Sequence, residues 1–119
     1  MIDRIAWATL AVADQDDMRR FFVDVLGFSV VTDAEMWDGA RWLEVAPAGA
    51  QTTLVLSKAS DFDRDPDSQY PIGLHASDLQ ALADAAKAHG CETTEPVTES
   101  WGSYVRLTDP EGRQLLVRG

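Results

Sequence analysis

The sequence predicts an α+β protein made of two tandem copies of one module, strand, helix, strand, strand, strand, and three observations carry that prediction. Residues 104–117, Tyr-Val-Arg-Leu-Thr-Asp-Pro-Glu-Gly-Arg-Gln-Leu-Leu-Val, set an Asp-Pro-Glu-Gly turn between two alternating apolar runs, the pattern of a β-hairpin. Residues 40–56 repeat the arrangement, with Pro47-Ala48-Gly49 as the turn. Upstream of each hairpin an aspartate, Asp14 or Asp78, opens an amphipathic stretch that closes at a glycine, Gly27 or Gly90. The hairpins make the sheet mostly antiparallel.

Taken in order, residues 2–12 form a strand with Ile5, Trp7, Thr9 and Ala11 on one side and Ala6, Ala8, Leu10 and Val12 on the other. The small residues of the second side suit a closely packed helix. That helix follows over residues 14–27. Asp14 caps it, Asp16 and Asp17 complement its dipole, and Met18, Phe21, Phe22, Val25 and Leu26 recur at helical spacing. Residues 29–32 start a strand, 33–39 are expected to be a turn region carrying Trp37, and the first hairpin runs over 40–57. The parity of that hairpin stays open: either Arg41 and Leu43 or Trp42 and Glu44 face the cup. Residues 58–69, rich in Asp, Ser and Pro, read as the linker between module 1–57 and module 70–119. The alternating Asp61, Asp63, Asp65 and Asp67 imitate a calcium loop but lack its glycine and distal glutamate; a lid is the other reading of this exposed stretch. The second copy has strand 70–76, an alanine-rich helix from Asp78 with Leu79, Leu82, Ala83 and Ala86 on one face, strand 92–98, and the terminal hairpin.

The 119 residues, 45% apolar, amount to one ordinary domain. A net charge of −10 argues against a nucleic-acid partner, since phosphate binding needs a basic face, and weakly favours cationic ligands. The single Cys91 excludes an internal disulfide. With no stretch that reads as a leader or a membrane span, a reducing cytoplasm is the expected location.

The module order, Leu10-Ala11-Val12 leading to Arg20-Phe-Phe-Val-Asp-Val-Leu-Gly27-Phe28, and the terminal Asp-Pro-Glu-Gly with its following strand together resemble the vicinal oxygen chelate superfamily. Its members include glyoxalase I, extradiol dioxygenases and the fosfomycin and bleomycin resistance proteins. The resemblance covers nearly the whole chain. It implies a cupped, mostly antiparallel sheet with its helices on the outer face and four ligand positions on the cup, filled by His or Glu in metal-dependent members, where the metal holds vicinal substrate oxygens. Here those positions carry Trp7, Val55, Pro71 and Leu116, none of which binds metal. No metal and no cofactor are therefore expected.

What the cup would retain is an apolar, aromatic surface with a few polar handles. The candidate ligand-binding residues are Trp7, Thr9, Thr53, Val55, His75, Trp101, Tyr104, Arg106 and Leu116, with Ser100 at the rim. His75 shares strand parity with Pro71 and Gly73 and is the one weak candidate for a general base; His89, in the last helical turn, suits the helix dipole. A buried Arg106 would want a carboxylate, from Glu44 or from a ligand. Trp37 and Trp42 read as edge packing or dimer contact. The chain thus looks most like the bleomycin-resistance branch, a homodimer that sequesters a small organic molecule. Its rivals are a lyase, isomerase or dioxygenase with relocated ligands or a His75 base, and an accessory domain with a vestigial cup.

Overall fold

The computed structural model describes residues 1–119 and contains eight strands and two α-helices. The chain divides into two compact units, residues 1–67 and 68–119. Each unit folds as strand, helix and three further strands, and each forms its own four-stranded sheet.

In the first unit β1 (Trp7–Val12), β2 (Ser29–Trp37), β3 (Ala40–Ala46) and β4 (Thr53–Lys58) take the order β1-β4-β3-β2, with β1 parallel to β4 and the other pairs antiparallel. Between β1 and β2 runs α1 (Gln15–Arg20), capped by the Asp14 carboxylate, which accepts from the Asp17 N–H at 3.0 Å. The core lies between α1 and one sheet face, where Leu10, Met18, Phe22, Leu43, Val45 and Leu56 are fully buried. Gln15, also buried, donates its amide to Leu56 O at 2.8 Å and Arg41 O at 3.2 Å, tying the helix head to β4 and β3.

The second unit repeats the plan. Strands β5 (Gly73–His75), β6 (Val97–Glu99), β7 (Gly102–Thr108) and β8 (Gln114–Arg118) take the order β5-β8-β7-β6, β5 being parallel to β8. Helix α2 (Leu79–Ala88) starts at Asp78, whose carboxylate accepts from Ala81 N–H at 3.0 Å. It buries Leu79, Ala83 and Ala86, the small side chains allowing close approach to β7, where Val105 and Leu107 are buried. Its end is a Schellman motif: Cys91 N–H donates to Ala86 O, Gly90 N–H to Lys87 O, and Gly90 has φ +76°. His89 stands at the C-cap.

Several elements depart from expectation. The first helix does not run uniformly to Gly27. After Arg20 it widens into a π turn over Phe21–Val25, where Leu26 N–H reaches back to Phe21 O, and this turn accompanies burial of the adjacent Phe21 and Phe22. The first strand starts at Trp7 rather than residue 2; Arg4 and Thr52 hold the preceding segment through bonds to Gln51 O and Ile5 O. Residues 33–37 are strand, not turn, because the tight turn is Asp38-Gly39, with Gly39 at φ +79° and Trp37 paired with Ala40. Strand β5 starts at Gly73 rather than 70, since Tyr70 has φ +56° and Pro71 has no N–H to give. Residues 92–96 contribute only a Thr93–Leu107 bridge before β6.

The stretch expected as linker starts one residue late, Lys58 ending β4, and holds a 3-10 turn, Ala59–Phe62. Asp67 binds back to β1: its carboxylate accepts from Ala11 N–H at 2.8 Å and its N–H donates to Ala11 O at 2.9 Å. No helix is long and apolar enough to cross a membrane.

Candidate functional site

Strand register decides which side chains share a face, because cross-strand partners project to the same side of a sheet. In the first unit Trp7 is paired with Thr53, Thr9 with Val55, and Val55 with Glu44. Trp7, Thr9, Thr53, Val55, Trp42 and Glu44 therefore occupy the face opposite the helix. The hairpin parity left open by the sequence is resolved in favour of Trp42 and Glu44; Leu43 goes to the core and Arg41 to ion pairs with Asp16 and Asp33.

On this face the indoles of Trp7 and Trp42 meet edge to face, centroids 5.6 Å apart at 87°. Trp42 Nε1 donates to Glu44 Oε1 at 2.5 Å and Thr53 Oγ1 donates to Glu44 Oε2 at 2.7 Å. Both carboxylate oxygens are thus engaged inside the unit, which holds the Trp42 ring in place. A pocket of about 340 Å³ opens beside these rings, with Val55 buried in its lining and Met36 and Phe62 among its walls. Its volume lies within the range of small-ligand sites. Trp7 keeps 51% of its surface exposed, so its indole is available to a ligand.

The second unit presents a comparable face. Gly73, Leu116 and Arg106 lie in register across β5, β8 and β7, and His75, Arg118 and Tyr104 form the next row. Tyr104 is buried, with Trp101 stacked on it at 5.3 Å and 12°, and the Arg106 guanidinium 5.0 Å from its ring centroid. His75 is exposed on β5. A second pocket, about 420 Å³, lies against Arg106, Thr108 and Gln114.

The superfamily metal does not fit these residues. Trp7, Val55 and Leu116 project from the sheet faces with no donor atom, and Pro71 lies just outside β5. Nowhere in the chain do three or more His, Cys, Asp or Glu side chains gather closely enough to hold an ion.

The sequence profile of the Glyoxalase/Bleomycin resistance protein/Dioxygenase superfamily matches residues 4–116. The chain belongs to that superfamily. Among relatives of this superfamily member, an uncharacterized protein, YetH, from Bacillus subtilis (strain 168) is 30% identical over 119 residues, covering 99% of each chain. A crystal structure of a Glyoxalase/bleomycin resistance protein/dioxygenase superfamily member from Sphaerobacter thermophilus DSM 20745 superposes with a TM-score of 0.89 at 29% identity, covering 98% of this chain and 97% of that one. TnmS3, an antibiotic binding protein from Streptomyces sp. CB03234, superposes with a TM-score of 0.86 at 29% identity, covering 98% and 95%.

Sequence reasoning placed the Trp7 face but missed Met36, Phe62 and the pairing of Trp42 with Glu44. The overlooked signal was Asp38-Gly39, a strong two-residue hairpin turn that extends β2 and sets its register.

Proposed function

We propose that this superfamily member binds a small aromatic organic molecule, an antibiotic or a metabolite, without a metal ion, and acts by sequestering it. The observation that carries this reading is the Trp7–Trp42 corner of the first module, walled by Val55 and Met36; by the superfamily resemblance Trp7 takes the position of a ligand histidine. Two perpendicular indoles offer a ring face and a ring edge to a planar ligand, while the Thr9 and Thr53 hydroxyls supply polar handles. In the second module Trp101, Tyr104, Arg106, His75 and Leu116 form the corresponding lining. Resemblance to an antibiotic binding protein over nearly the whole chain supports the ligand class. No bond is made or broken in this reading; the free concentration of the compound falls because it is held. A cytoplasmic homodimer is the proposed working form.

The test is a screen of tryptophan fluorescence and thermal shift against antibiotics and aromatic metabolites, using protein stripped with a chelator. Saturable quenching by at least one compound, unchanged when Zn, Ni, Mn or Fe is added, is expected. Binding that appears only after metal is restored would overturn the metal-free reading.

A further inference from the structure

We infer that Arg106, with Thr108 and Gln114, forms a carboxylate-recognition subsite on the second module, which takes the acid group of a small organic ligand. The inference rests on the small-molecule reading above and narrows its chemistry. Among ten Lys and Arg facing twenty Asp and Glu, Arg19, Arg20, Arg41, Arg64, Lys87 and Arg113 all have carboxylate partners. Arg4, Lys58 and Arg118 are exposed and solvated. Arg106 alone is a half-buried cation with no carboxylate of its own unit within 4.0 Å, and Glu92, which lines the same pocket, lies beyond that distance. A partly desolvated guanidinium in an acid-rich chain gains most from an anion that the chain does not itself provide.

The group is held ready for one. Thr94 accepts from Arg106 N–H through Oγ1 at 3.0 Å and donates its own N–H to Arg106 O at 3.1 Å, fixing the backbone. The Tyr104 ring takes the guanidinium against its face, and the one side-chain bond Arg106 makes, to Tyr104 Oη, is long at 3.4 Å. The rest of the planar N–H fork, which matches a carboxylate bidentately, is uncommitted. Thr108, two residues along the same strand face, adds a hydroxyl. Its cross-strand partner Gln114 accepts the Tyr70 phenol through Oε1 at 2.8 Å, which leaves the Nε2 amide protons to donate. These three donors border the pocket of about 420 Å³. The Trp101–Tyr104 stack adjoins Arg106 outside the lining of this pocket, and Glu92 within the lining disfavours a multiply charged anion. The site therefore selects a monocarboxylate, opposite to the cationic ligand that net charge alone suggests.

Isothermal titration of the intact protein with 2-naphthoate, its neutral amide and 2-naphthylmethylammonium at one ionic strength and neutral pH tests this. Naphthoate should bind at least about tenfold more tightly than the amide, a gap that an added bidentate ion pair readily produces. Arg106→Gln should erase the gap and Arg106→Lys should keep part of it. Gln114→Glu, which retains the acceptor for Tyr70 but replaces the donor with a negative charge, should shrink it. Equal binding of amide and naphthoate, tighter binding of the ammonium compound, or a gap that survives Arg106→Gln would overturn the subsite while leaving aromatic binding intact. Failure of all three probes together with every compound of the wider screen would overturn both readings.

Discussion

Arg41 joins three elements through one guanidinium. It meets both oxygens of Asp33 on β2, at 2.7 and 2.8 Å, and reaches Asp16 at the head of α1 at 2.7 Å. The hydrogen bond from Arg41 holds the Asp33 and Asp16 carboxyls below their ordinary value of 3.8, and the same contacts push Arg41 upward. A carboxyl that titrates lower in the folded chain stabilises it fully above the unfolded value and loses that contribution as pH falls through the lowered folded value. Asp33→Asn should thus cost about 1 kcal/mol at neutral pH, the upper end for a partly exposed pair, and progressively less in acid. Urea midpoints of both proteins at neutral pH and near pH 2 check this; a difference that persists undiminished in acid would contradict it. Nothing in the sequence distinguishes Arg41 from its exposed neighbours, because its partners lie on strands and a helix brought to it only by folding.

At the scale of elements, the terminal hairpin shows both what local sequence carries and what it hides. Asp109-Pro-Glu-Gly was legible as a turn. Gly112 N–H donates to Asp109 O at 3.0 Å, Asp109 N–H to Arg113 O at 2.9 Å, and Gly112 takes φ +85°. Less legible was the burial of its charges: Asp109 and Arg113 pair at 2.7 Å with side chains 0% and 4% exposed, and Arg113 also reaches Glu111. Removing one partner strands the other, so Arg113→Met should destabilise by about 3–5 kcal/mol. The double variant with Asp109→Asn should lose less than the sum of the single changes. Chemical denaturation of the three variants measures this, and strict additivity would show that the pair does not act as a unit. Both α-helices were readable because caps, apolar stripe and closing glycine agree. Their details were not, since the π turn at Phe21 answers to core packing. Strand ends were misplaced where one residue overrode the run, as Tyr70 and Pro71 do before β5 and Asp38-Gly39 does after β2. Alternation counted from the terminal turn put Tyr104, Arg106 and Leu116 on one face, and alternation along the first strand put Trp7 with Thr9, as the register has them. Parity stayed open at Trp42 and Glu44, where the turn region was read as beginning at Asp33 and the two-residue turn at Asp38-Gly39 was not singled out.

For the whole molecule, the excess of acid over base and the duplicated module lead to two expectations. Exposed apolar side chains gather at Trp37, which packs edge to face on Phe62 at 5.9 Å, with the adjacent Met36 also exposed. That surface suits a second copy, and light scattering at micromolar concentration should give twice the 13.1 kDa chain mass; the mass of a single chain would count against a dimer. The central claim, that an aromatic ligand is held on the Trp7 face without metal, is tested most directly by titrating a compound found in the screen into chelator-treated wild type, Trp7→Ala and Trp42→Ala. The account predicts metal-independent binding to the wild type. It also predicts that each substitution weakens affinity by about 1–3 kcal/mol, the loss expected for a buried aromatic contact. Wild-type affinity retained in both variants would contradict it.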